Sequence, residues 1–530
     1  MLRTLLPGAR RCLGLAMLSA LVLIVAPVVT AAASAAPSVP RSGDTLALLA
    51  VQQAELTAAD GAANDSFGSS VAVAGDTALV GAGGKTVGGQ NGAGAAYIYT
   101  RTGTTWSKQV ELSDPDPAAG DYFGWSVALS GDTALVAAHG KTVGGQSGAG
   151  AVYVFTRTGT TWSEQAELSD PDPAVDDYFG WSVALSGNTA LVSAVNRTVT
   201  GQDYAGVAYV FVRTGTTWSQ QAELSDPDAA TNDFFGYRVA LSGGTALVDV
   251  ANRSASAGVA YVFVRSSATW SQQAELAATD AAAGDGFGVW LALSGDTALM
   301  GAPYKTVAGH NEVGAAYVFT RSGTAWSQQA ELGDPGARGG DRFGSAVALS
   351  GSTALVDSPG KTVGGRDGAG AAYVFKRTGT SWSEQAKLSA TDAAAGGSFG
   401  LSVAVSGDTV LAGACNKTVN GLSAAGVTYV DVLKPAPSLS LKAAPRSPAV
   451  HKQLTLSGKV KHFLATGKKV QIYRQAGKHL TALKTLALTK SGGFKWTMKP
   501  KTAGTWVFVA AYKVGELTFW SKPVSVKVHR

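Results

Sequence analysis

The chain has 530 residues, of which 45% are hydrophobic and 15% charged, with a formal net charge of +6. That length and apolar share allow a large core or several domains, and no apolar stretch after residue 36 is long enough to cross a membrane, which argues against a transmembrane anchor in the mature chain. The charge is unevenly divided: Ser438 to Arg530 holds 18 Lys and Arg against one acid, while Pro37 to Pro437 holds 22 basic and 36 acidic residues, net −14.

At the N-terminus, Arg3, Arg10 and Arg11 precede an apolar run from Leu13 to Val29 and then small residues up to Ala36. This is the pattern of a secretory signal peptide over residues 1–36, so the mature protein is expected outside the cell, free or associated with the wall. Only Cys12 and Cys415 occur. Removal of the leader takes Cys12, so no intramolecular disulfide is expected in the mature chain.

From about residue 46 to Leu433 the sequence repeats itself. Phe-Gly pairs place glycines at Gly68, Gly124, Gly180, Gly236, Gly288, Gly344 and Gly400, a period of 56 residues with one step of 52. A fixed period of this kind marks a repeat architecture. Each unit reads like the second: "SVALSG" (Ser126 to Gly131), "TALVAA" (Thr133 to Ala138), "GAVYVFTR" (Gly150 to Arg157) and "TWSEQAEL" (Thr161 to Leu168). These segments are short, rich in Val, Thr and aromatics, and bounded by Gly, Asp, Ser or Pro, which predicts four antiparallel strands per unit. Seven such units predict an all-β fold, a seven-bladed propeller. The last unit stops after "GVTYVDVL" without its fourth strand, whereas "AVQQAEL" (Ala50 to Leu56) at the front matches that strand. The N-terminal strand is therefore expected to complete the last blade and close the ring, which removes exposed sheet edges.

The motif "FGxSVAxSGDTALVGA…GAAYVF" resembles the FG-GAP repeat, the blade unit of the integrin α-subunit propeller, and more closely its bacterial secreted form. The resemblance spans about Ala50 to Leu433 and implies the propeller fold. It does not carry over the metal: the calcium loops of integrin blades read D-x-D-x-D-G, and here the equivalent turns read "SGDT", "SGNT", "SGGT" or "SGST". One carboxylate cannot supply the several oxygen ligands calcium needs, so no metal and no cofactor is expected.

Residues 434–438 read as a linker, and 439–530 as a separate basic β-sandwich of alternating strands between Gly- and Lys-rich turns. That segment resembles the Ig-like modules appended to bacterial secreted proteins. Its lysines, among them Lys459, Lys461, Lys468 and Lys469, are candidates for binding an anionic cell-envelope polymer; a solvated surface, or docking on the acidic propeller, are the alternatives.

On one rim of the propeller a cation recurs in every unit: Lys85, Lys141, Arg197, Arg253, Lys305, Lys361 and Lys417. An acid recurs two residues before Phe in six units, from Asp65 and Asp121 to Asp341. Either these acids cap their own turns or pair with cations, or the cations form an anion-binding ring in which Lys141, Arg197 and Arg253 take part. Residues that differ between units are the sharper candidates: Trp125, Trp181 and Tyr237 follow the Phe-Gly glycines of three consecutive units and could stack on sugar rings or grip a partner side chain, or else fill space between blades. His139, Tyr204, Tyr304 and His310 are weaker candidates on the same rim. The outer tryptophans from Trp106 to Trp382 share the phase of their strand's apolar residues and are expected to pack.

No pair of pocket carboxylates, no metal-ligating cluster and no Ser-His-Asp signature stands out. The expectation is a secreted, monomeric, non-enzymatic binding or adhesion protein whose propeller rim recognises a protein or carbohydrate ligand and whose basic tail tethers it to the envelope. The alternative is a lectin-like or polysaccharide-degrading exoprotein. Nucleic acid is not expected as a partner, since no reading motif is present.

Overall fold

Runs of Val, Leu, Ala and aromatics separated by glycine turns become strands throughout. The computed structural model describes residues 48–250, 258–280, 282–462, 469–476, 479–514 and 517–530, and every regular element among them is a strand. The expected leader lies outside the described residues. The chain forms two compact units, which among the described residues are essentially Ala50–Leu433 and Lys434–Arg530.

The first unit holds seven four-stranded antiparallel sheets. Blade 2 shows the pattern: Val127–Ser130, Thr133–Ala138, Ala151–Thr158 and Thr161–Ser169, paired in that order. Period-two alternation gives each blade two buried faces. In blade 2, Leu135, Ala137, Val152 and Val154 pack against Phe179, Val183 and Val192 of blade 3, while Val136, Tyr153, Phe155 and Trp162 pack against Leu79, Ala96 and Ile98 of blade 1. Middle strands therefore read as continuous apolar runs.

The Phe-Gly pair sets the spacing of the blades. A Cβ on Gly81 would lie 2.0 Å from the carbonyl oxygen of Gly124 in the next blade, and one on Gly124, whose φ is 92°, would lie 2.3 Å from Ala95 O. Only glycine permits that approach.

Two side-chain ties repeat between blades. Trp Nε1 donates to a Gln Oε1 of the preceding blade, as in Trp162 to Gln109 at 3.2 Å and Trp326 to Gln273 at 3.0 Å. An Arg Nη1 donates to a Thr Oγ1 of the preceding blade, as in Arg157 to Thr77 at 3.0 Å. The outer tryptophans thus cement the ring.

The N-terminal strand Leu48–Leu56 pairs with Val427–Pro435 and completes blade 7. Across this closure both ties persist, Arg101 to Thr409 at 3.0 Å and Trp106 to Gln53 at 2.9 Å. Neighbouring innermost strands touch in an unbroken cycle, so the seven blades form a ring around a central axis. The join between blades 6 and 7 differs: Leu433 stands where other blades have the Arg, Ala50 where they have the Trp, and Asp431 where they have Tyr99 or a Phe such as Phe155. Thr353 and Gln385 of blade 6 accordingly lack those partners.

Cys415 is fully buried and disulfide-bonded in the full chain. The expectation of a chain without a disulfide concerns the form from which Cys12 has been removed.

Strand Val427–Pro435 runs into the expected linker, leaving Ala436 and Pro437 before Ser438–Ala444. The second unit comprises a three-stranded sheet (Ser438–Ala444, Leu454–Lys461, Gly493–Met498) and a five-stranded one (Lys469–Ala476, His479–Ala487, Gly504–Val514, Leu517–Trp520, Val524–Val528). Leu454, Leu456, Val460, Ile472, Phe508 and Val526 from both sheets share one buried cluster.

Candidate functional site

The rim where each chain segment enters its innermost strand carries two layers of polar and aromatic residues. The lower layer repeats in nearly every blade. A rim cation, the buried hydroxyl of the "YVF" tyrosine and an aspartate from the preceding loop converge. In blade 2, Lys141 Nζ lies 2.8 Å from Asp114 Oδ2, and the Tyr153 hydroxyl donates to Asp114 Oδ1 at 3.1 Å. Blade 3 repeats this with Arg197, Asp170 and Tyr209, blade 6 with Lys361, Asp334 and Tyr373.

Blades 1, 5 and 7 take their acid two residues later, from Asp60, Asp280 and Asp392, and still deliver it to Lys85, Lys305 and Lys417. Burial works against the charge of Lys141, but the hydrogen bond and charge of Asp114 outweigh it and hold its pKa above the ordinary value. Burial pushes Tyr153 well above its usual value, so it stays a donor.

The acids two residues before Phe cap their turns. Asp121 Oδ2 accepts the Ala118 N–H at 2.7 Å and Asp177 Oδ2 the Ala174 N–H at 2.9 Å, with equivalents at Asp65, Asp233, Asp285 and Asp341. Some also face the cation, as Asp177 does Arg197 at 3.0 Å.

Above this layer, blades 2 to 4 carry a connected run of rings, which Arg238 extends to blade 5. Trp125 and His139 are 4.5 Å apart, Trp125 and Trp181 5.1 Å, and Trp181 and Tyr237 5.6 Å, centroid to centroid. Tyr122 stacks on His139 at 5.3 Å, and Tyr178 on Trp181 at 6.0 Å. Beyond Tyr237, the Arg238 guanidinium lies 4.8 Å from the Tyr237 ring and 4.0 Å from that of Trp290.

Trp125, Tyr178, Tyr237 and Trp290 are half-buried and Tyr122 is 37% exposed, so the run has an open face. Trp181 is 92% buried, and its indole N–H finds no acceptor among the described residues. Leaving such a donor unpaired costs about 1–3 kcal/mol.

The backbone adds a second cost. The residue before each Phe is left-handed, and blade 5 fills that place with Gly286, whereas blades 2 to 4 use Tyr122, Tyr178 and Phe234 at φ of 56°, 57° and 54°. Bulky residues are disfavoured there, at an expense of about 1 kcal/mol or more each. Residues that forgo stability in this way mark functional surface.

Of the sequence candidates, Trp125, Trp181 and Tyr237 come together in this arc, and His139 joins them. Lys141 and Arg197 lie in the layer beneath, each engaged with aspartates. Arg253 and Lys468 lie outside the described residues. Tyr204 packs on Phe234 at 6.1 Å, Tyr304 lies 5.9 Å from the Arg342 guanidinium, and His310 is exposed. Lys459 and Lys461 are exposed on Leu454–Lys461, and Lys469 is exposed on the other sheet of the second unit.

Sequence reasoning missed Tyr122, Tyr178, Phe234, Arg238 and Trp290. Their signal was bulk at a position that glycine suits, and breaks in the "SVAL" motif. A recess of about 510 Å³ on the opposite rim, between blades 1 and 2, is lined by Asp76, Arg101 and Arg157, whose charges pair with Asp76 and Asp132. Among the described residues no His, Cys, Asp and Glu cluster could hold a metal ion, and no helix is long and apolar enough to cross a membrane.

No curated protein gives a significant match to the chain. A family model described as the FG-GAP repeat matches seven times, over residues 50–99, 106–155, 162–211, 218–263, 270–319, 326–375 and 382–430. These matches cover more than half of the chain and begin one per blade, each at the fourth strand of the sheet before it, so the chain belongs to the FG-GAP repeat family.

Proposed function

We propose that this is a secreted, non-enzymatic recognition protein that binds carbohydrate on the aromatic arc of blades 2 to 5 and is tethered by its basic C-terminal unit to an anionic envelope polymer. The observation that carries the reading is the arc itself: six rings connected by contact with an open face, bought with left-handed backbone at Tyr122 and Tyr178 and an unpaired indole N–H on Trp181. Flat apolar ring faces with polar edges suit the alternating apolar and hydroxyl faces of sugars. The tether rests on the exposed Lys459, Lys461 and Lys469 in a segment of 18 cations and one acid.

The test is binding of the mature chain to a glycan array and to purified envelope polymers across a salt series. Glycan binding is expected to resist salt and to weaken at least about tenfold, ~1.4 kcal/mol, in Trp125→Ala. Polymer binding is expected to fall steeply with salt. Glycan binding indifferent to Trp125, or capture of a protein by the arc instead, overturns the carbohydrate reading.

A further inference from the structure

Arg238 is the second residue after its Phe-Gly pair, where other blades have Ser70, Ser126, Ser182, Trp290, Ala346 and Ser402. Serine has a use there: Ser126 Oγ accepts the Val183 N–H at 3.2 Å, and Ser182 Oγ the Val239 N–H at 3.2 Å, tying neighbouring blades. Arg238 forgoes that tie. In return it makes no ion pair among the described residues, and its one hydrogen bond there runs from Nη1 to the Tyr237 carbonyl at 2.8 Å.

Asp249 does not pair with that charge. Asp249 Oδ1 accepts the backbone N–H of Arg238 at 2.6 Å, and Oδ2 is buried without a partner. Burial pushes the Asp249 carboxyl well above its ordinary range, and neither of its oxygens pairs with the guanidinium. The guanidinium keeps some solvent contact, yet dense surrounding protein strips most of its hydration, which pulls its own pKa down from the usual value. An anion arriving there recovers what burial took.

We propose, resting on the carbohydrate reading above, that Arg238 is the acceptor for a single carboxylate on the glycan, so that the arc selects a sugar chain carrying a uronate. The guanidinium is held between the Tyr237 and Trp290 rings at the end of the arc, where a sugar stacked on the open face of Tyr237 would place its substituent. Its fork of N–H donors matches a carboxylate. A polyanion fits poorly, since the segment from Pro37 to Pro437 carries a net charge of −14. The ligand is a largely neutral chain with an isolated acid.

The test is titration calorimetry of the mature protein with an unsubstituted xylo-oligosaccharide and with the same oligosaccharide bearing one glucuronate. The readout is the ratio of the two affinities. The acidic sugar is expected to bind about tenfold to a hundredfold more tightly, with a preference that shrinks as salt rises. Arg238→Gln is expected to bring the ratio close to one, Arg238→Lys to retain part of it, and Trp125→Ala to weaken both sugars while keeping the ratio.

Neutral binding without preference, or an unchanged ratio in Arg238→Gln, overturns this inference alone. Binding of neither sugar overturns the carbohydrate reading with it. Tighter binding of an aspartate-bearing peptide than of the acidic sugar reassigns the carboxylate to a protein and overturns the choice of uronate.

Discussion

Asp357 shows how much one residue can depart from its repeat. At its place on the second strand blade 4 also carries an aspartate, Asp249, while the others carry Gly81, Ala137, Ser193, Gly301 and Gly413, and Ser193 already satisfies the local N–H of Ser182 at 3.1 Å. Asp357 does the same for Ala346 but buries a second oxygen, Oδ2, with no partner. Burial raises its pKa well above the ordinary 3.8.

The folded protein therefore holds a proton that the unfolded chain releases. Its contribution is fully present below about pH 4 and is lost by roughly 1.4 kcal/mol per pH unit as pH rises towards the folded pKa. Asp357→Ser is expected to raise the melting temperature at pH 7 and to flatten its fall between pH 4 and 7, as thermal melts across that range would show. At this scale the sequence was only partly legible. Trp125, Trp181 and Tyr237 stood out because they differ between units at a fixed offset from Phe-Gly. Arg238 and Trp290 were hidden one residue further on, inside a motif that reads as plain strand, and their meaning depends on a contact between blades that no local pattern encodes.

Within a blade, the buried triad of tyrosine, aspartate and cation is the element that holds the long rim loops in place. Asp114 is wholly buried in its side chain and Lys141 nearly so. Removing one charge strands the other. Lys141→Met is expected to cost about 3–5 kcal/mol, and adding Asp114→Asn to recover part of that loss, a coupling that urea unfolding of the two single variants and the double variant would measure.

The strands and the recurring cation were readable from period and composition. The acid was not, because blades 2, 3 and 6 supply it from Asp114, Asp170 and Asp334, while blades 1, 5 and 7 supply it from a residue two places further along the loop. Two loop paths reach one point in space, and only coordinates show that they coincide.

Across the whole ring, the closure by Leu48–Leu56 was legible because the fourth strand missing from the last repeat is present at the front. What the repeat count concealed is where the ring is weakest. The chain-closing join between blades 7 and 1 keeps both recurring side-chain ties, whereas the join between blades 6 and 7 has lost both and carries Asp431 in place of an aromatic. Burial raises the Asp431 pKa to about 7. Its contribution to stability is therefore complete below about pH 4, declines as pH rises and is gone above about pH 7.

Ala50→Trp with Asp431→Phe is expected to rebuild that join and slow hydrogen exchange in blades 6 and 7 more than in blades 2 to 4. Uniform slowing around the ring would show that the joins do not open separately. Leu48 and Leu433 lie on adjacent strands of one sheet, so a short splice would link the propeller's two ends. A rearranged gene that begins at blade 7 and ends with blade 6 would then move the break in the covalent chain onto the join that already holds least.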